Sequence, residues 1–131
     1  MSWIPRVVVS VGLASLAVSQ ERPPDQAFQT VHLSVARQPD AEKKLSAALD
    51  DLNNAIIKGG CPPCIYHLWK TYGQQSGPFD FLWVASWPDR ATYENIHATP
   101  LYNAAWNKHP ELGAIRSGEI YNRYVEVKPG K

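Results

Sequence analysis

The chain is short of the residues that charge-driven partners need. Lysine and arginine together number 13 and aspartate and glutamate 12, a formal net charge of +1, and no run of like charge occurs anywhere. A protein that binds nucleic acid needs a basic stripe to release counterions, and an anionic membrane surface asks for the same, so neither is expected as a partner. Nucleophile elbows, phosphate-binding glycine loops, HExxH and paired-carboxylate signatures are missing as well. Cysteine is scarce, with two residues in the whole chain. Histidine is limited to four, and spacing alone assembles no ligand set from them, so no metal is expected.

What is present describes a globular domain. A hydrophobic content of 44% and an aromatic content of 11% over 131 residues suffice for a single core and exclude disorder. The first nineteen residues read differently. Arg6 precedes an apolar run over residues 7–18 that ends in the small residues Ala17, Val18 and Ser19. That pattern predicts a secretory signal, too short to span a bilayer, with export to the periplasm or the exterior after cleavage at Ser19. Cleavage leaves Gln20 first, twelve charges of each sign, and a polar lead-in over residues 20–27. A single domain over 28–131 follows, and no segment of the mature chain is expected to cross a membrane.

The two cysteines form Cys61-Pro62-Pro63-Cys64. In a redox CxxC the first cysteine opens a helix that lowers its pKa. Here the motif follows a helix and two glycines, and its prolines bar a helical turn. In an oxidising compartment the reading is a Cys61–Cys64 disulfide that pins the turn. Free structural thiols, redox chemistry and a metal shared with His67 are the alternatives. A c-type haem needs CxxCH, and residue 65 is Ile65.

Residues 28–36 alternate, with Val31, Leu33 and Val35 on one face and Thr30, His32 and Ser34 on the other, which predicts a half-polar strand. A helix follows, with Asp40 as its expected N-cap and a stripe at Ala41, Leu45, Ala48, Leu49, Leu52 and Ile56. Gly59 and Gly60 end it. Residues 65–72 and 79–87 form a hairpin. Ser86 and Asp89 suggest a capping box with Pro88 in the first turn, and Tyr93, Ile96 and His97 share one helix face. Thr99-Pro100 breaks this helix and caps a second, 101–108. A turn region and a last strand, 119–127, complete βαββαβ: an α+β, ferredoxin-like, four-stranded antiparallel sheet with helices on one face.

The third strand is apolar on both sides, and Tyr66, Trp69, Tyr121 and Tyr124 add aromatics to the sheet. Helices cover one face only, so a second copy is expected on the other, giving a homodimer.

Strand-ending Trp87, an Asp-containing helix start, an aromatic, and His97 ten residues after the tryptophan resemble the dimeric α+β barrel superfamily. Within it the likeness is to the antibiotic-biosynthesis monooxygenase and stress-responsive barrel families. The resemblance implies a pocket between helices and sheet that takes a small apolar or aromatic molecule. By position it implies His97 as the proton-transfer residue with Tyr93 and Tyr102 beside it. Trp87, Trp83, Trp106, His67 and His32 are candidate substrate-binding residues. The haem-degrading branch places an asparagine on the first strand, where this chain has Thr30, His32 and Ser34, and a ligand histidine near Trp106, so no cofactor is expected. Cofactor-free monooxygenation or cyclisation is one implied activity. Binding without chemistry is the other, with His97 as a helix histidine bonded to a carbonyl.

Overall fold

A computed structural model of the protein describes residues 21–35, 39–73 and 77–130. The expected signal peptide and its cleavage point lie outside these residues. The elements run β1 (Phe28–Ser34), α1 (Ala41–Lys58), a 3₁₀ turn (Pro62–Cys64), β2 (His67–Lys70), β3 (Phe81–Trp87), α2 (Arg90–His97), α3 (Pro100–Asn107), α4 (Leu112–Arg116) and β4 (Ile120–Val125). The sheet order is β2-β3-β1-β4, and every pairing is antiparallel. This is the ferredoxin-like arrangement, with the helices on one face.

The polar side of β1 is the side that meets the helices. Thr30, His32 and Ser34 are buried, whereas Val31, Leu33 and Val35 are half-buried on the open face. Hydrophobicity alone would have placed them the other way. Two buried tryptophans of β3 reverse the outcome, because each indole N–H needs an acceptor inside the core. Trp83 Nε1 donates to Ser34 Oγ at 2.9 Å and Trp87 Nε1 to Thr30 Oγ1 at 3.1 Å.

Helix α1 buries Ala41, Leu45, Ala48, Leu49, Leu52, Ala55 and Ile56 against this layer. Asp40 does not cap it: its φ is 62° and its side chain makes no cap hydrogen bond. The C-terminus closes as a Schellman turn, with Gly60 at φ 106° donating to the Ile57 carbonyl and Cys61 N–H to the Ile56 carbonyl. Cys61 and Cys64 are joined by a disulfide across the next turn, Cα to Cα 5.4 Å.

The start of α2 also differs from the capping-box reading. Asp89 is the N-cap and accepts from Thr92 N–H at 2.8 Å. Pro88 therefore precedes the cap, and Ser86 stays in β3, where it accepts from Gln29 Nε2. Residues 112–116, expected as part of a turn, form α4, which buries Leu112 and Ile115. Among the described residues no helix is long and apolar enough to cross a membrane.

Candidate functional site

Between the helices and the sheet lies a cleft of about 330 Å³, lined by His32, Tyr66, Tyr93, His97, Tyr102, Asn103, Trp106, Arg116 and Tyr121. That volume is at the lower end of small-molecule sites. A more open groove of about 510 Å³ runs along the outer side of α1 against β2. It holds no buried titratable group, and Lys70 and Glu42 at its rim already pair at 2.9 Å.

Helix α2 supplies Tyr93 and His97, one turn apart and stacked with ring centroids 3.8 Å apart. His97 Nδ1 lies 2.7 Å from the Tyr93 carbonyl oxygen. A carbonyl only accepts, so Nδ1 carries the proton. Burial holds the imidazole down at about 4, below its usual 6.5, and the Arg123 charge adds to the effect. His97 is therefore neutral at pH 7, and its Nε2 has a free lone pair. The Tyr102 ring from α3 stands 4.5 Å away. Thr99 sets this approach: its hydroxyl donates to the Ile96 carbonyl at 2.7 Å and accepts from Tyr102 N–H at 3.2 Å.

The floor comes from the sheet. His32 stacks on Trp83 at 3.6 Å with an interplanar angle of 10°. Its Nδ1 is 3.3 Å from both carboxylate oxygens of Glu119, and Arg116 Nε donates to Glu119 Oε1 at 2.8 Å. Burial works to raise the Glu119 carboxyl, but hydrogen bonds to His32 and Arg116 outweigh it and hold it below the usual range. Burial lowers His32 against the raising pull of Glu119. The Tyr66 and Tyr102 hydroxyls meet at 3.3 Å, and burial raises both phenols, Tyr66 well above 10. Arg123 lies over the Tyr93 and Tyr121 rings, and Arg116 over Trp106.

The structure thus brings His97, Tyr93, Tyr102, Trp106 and His32 to one cleft. Trp83 and Trp87 lie beneath its lining as core, 0% and 1% exposed. His67 is elsewhere: paired with Val84, it is exposed on the opposite face of the sheet, so it is not part of this cleft. Tyr66 and Tyr121, read as aromatics of the sheet at large, face the helices. Glu119 and Arg116 carried no local signal, because their partner His32 is 87 residues from Glu119 in sequence. Among the described residues, no group of three His, Cys, Asp or Glu could hold a metal ion.

No family model matches the chain, and no curated protein matches it. Solved structures do. A dimeric ferredoxin-like protein of unknown function from Thermobifida fusca is 15% identical with a TM-score of 0.56, over 82% of this chain and 96% of that one. A DABB family protein from Mesorhizobium loti is 10% identical with a TM-score of 0.56, covering 79% and 99%. SnoaB, a cofactor-independent oxygenase from Streptomyces nogalater, is 11% identical with a TM-score of 0.55, covering 80% and 97%. At such identities the likeness is one of fold. The chain has the ferredoxin-like fold shared by the dimeric α+β barrel proteins.

Proposed function

We propose that the cleft binds a small hydroxylated aromatic or enolic molecule and that His97 Nε2 takes its proton. One observation carries the reading: the Tyr93 carbonyl fixes the tautomer of a neutral histidine beside an open cleft walled by aromatic rings. Cofactor-free oxygenation and cyclisation both begin with such a proton transfer, and a single base supplies it. Burial makes His97 a weak base. A phenolate or enolate formed beside it favours the imidazolium by opposite charge and offsets part of the burial cost.

The second reading, binding without chemistry, is favoured by that same depression to about 4, since a base that weak suits hydrogen bonding more than proton abstraction. A chromophoric phenol such as 4-nitro-1-naphthol separates the two. Catalysis expects the bound dye to show its phenolate band below its solution pKa, and His97→Gln to abolish the band while the dye still binds. A bound dye that stays protonated in the unsubstituted protein leaves the binding reading alone. Any turnover found should fall by roughly 10²–10⁴-fold in His97→Gln.

The reading includes a second copy on the open sheet face and export of a mature chain beginning at Gln20. The dimeric relatives of like fold and the exposed Trp69, Ile120 and Tyr124 support the first. The apolar run over residues 7–18 supports the second. Mass spectrometry of protein from its native host tests export: an intact Met1 excludes cleavage, and alkylation of Cys61 and Cys64 without prior reduction excludes an oxidising destination.

A further inference from the structure

The mechanism above uses one histidine of the cleft and leaves the other, His32, without a task. His32 is an expensive residue to keep there, with its side chain 6% exposed and its carboxylate partner Glu119 8% exposed. The pair is ordered from three sides. Trp83 stacks beneath the ring, Glu119 holds Nδ1, and Arg116 holds Glu119. A carboxylate only accepts, so Nδ1 carries the proton and Nε2 bears a lone pair. This is the tautomer that the Tyr93 carbonyl imposes on His97 by separate means.

Neither Nε2 makes a hydrogen bond among the described residues. Among the described residues the buried side-chain polar atom with no partner is Arg123 Nε, not either Nε2. Both rings line the same cleft. The Tyr66 and Tyr102 hydroxyls share one hydrogen bond, in which one donates and the other keeps its own proton. At the two histidines the cleft therefore presents neutral acceptors, with the donors Asn103 and Arg116 and the tyrosine hydroxyls elsewhere in its lining. A ligand carbonyl or ether oxygen at either position would face a lone pair with a lone pair, whereas a hydroxyl satisfies it.

We propose that His32, positioned by Glu119, is a second recognition residue of the cleft, and that the site selects a rigid aromatic or enolic ligand carrying two hydroxyl groups, one for each histidine. This rests on the reading that His97 engages a ligand hydroxyl. It adds a specificity that His97 alone does not confer.

The probes are 1,3-dihydroxynaphthalene and its monomethyl and dimethyl ethers, titrated against the full chain by calorimetry. The unsubstituted protein should bind the diol about tenfold more tightly than the monomethyl ether, the order of magnitude of one net hydrogen bond. His32→Phe should bring that ratio to about one and leave the monomethyl ether dependent on His97. Glu119→Gln gives a second readout with almost no change of shape. Arg116 keeps the amide oxygen, so the amide N–H₂ turns to His32 Nδ1 and moves the ring proton to Nε2. The cleft atom becomes a donor, and the ether should then bind at least as well as the diol. A diol-to-ether ratio unchanged in His32→Phe, or in Glu119→Gln where His32→Phe fails to fold, overturns the role of His32. Monomethyl ether binding that ignores His97→Phe, or no binding of any probe, instead overturns the reading on which this one rests.

Discussion

At the scale of single residues, the cleft stores its chemistry as histidines held neutral by burial, and acid should reveal them. His97 titrates at about 4 in the folded chain against 6.5 unfolded, so between those values the unfolded state binds a proton the native state refuses. Stability must therefore rise with pH across that window and fall as pH drops through it. The loss reaches roughly 3 kcal/mol when fully expressed. His32, also lowered by burial, acts in the same direction. His109 acts the other way. Its Nε2 lies 2.6 Å from Asp51 Oδ2 and its Nδ1 3.0 Å from Glu111 Oε1, and the Asp51 bond leads in raising its pKa. The stability it lends is fully present below its unfolded pKa and lost as pH rises through its raised value. Urea midpoints should accordingly fall between pH 7 and pH 5, and His97→Gln should make that fall shallower. An unchanged slope in the variant would mean that folding does not lower the His97 pKa. The sequence named His97 from its helix face and its distance from Trp87. For His109 nothing local indicates that Asp51 of α1, 58 residues away, reaches across to it.

Elements set the angles at which those residues meet, and here Thr99 has an outsized part. It closes α2 by donating to the Ile96 carbonyl and opens α3 by accepting from Tyr102 N–H, so one side chain fixes the corner that places His97 against Tyr102. Thr99→Ala should cost about 1–2 kcal/mol as a lost cap. It should also weaken binding of any cleft ligand, while Thr99→Ser restores both. Loss of stability with ligand affinity intact would show that the corner is structural only. This cap was legible, since Thr-Pro is a local pattern, as were the stripe of α1 and its glycine end. The failure at Ser86 has a physical cause. A cap residue is chosen by where the chain enters the helix, and that entry is set by the strand before it. Ser86 is held in β3 by pairing with Gln29, leaving Asp89 as the first free acceptor. Helix α4 was missed because five residues are too few to show a period, and packing of Leu112 and Ile115 creates it.

For the molecule as a whole, alternation along β1 shows which residues share a face but not which face meets the helices. Long-range partners decide that: indole donors on β3 and Glu119 beyond α4 claim the polar face. The consequence is an apolar outer face, with Val31, Leu33, Leu82 and Val84 half-buried and Trp69, Ile120 and Tyr124 exposed at 61%, 45% and 50%. Tyr66 and Tyr121 do not belong to it, yet the remaining residues still form a contiguous patch of the kind that soluble monomers avoid. A second copy packed on it through a twofold axis buries the same residues on both sides, and a stable interface of this kind needs roughly 1,600 Å² in total. Trp69 is the largest exposed side chain on the face, and β2 places it beside Leu82. Trp69→Glu would bury an unpaired charge from each copy in the interface, which costs far more than an exposed charge. Sedimentation at micromolar concentration should give twice the chain mass for the unsubstituted protein and one chain mass for Trp69→Glu. The cleft lies on the far side of the sheet, so ligand affinity should persist in the monomer. A single-chain mass for the unsubstituted protein would leave the apolar face to some other partner.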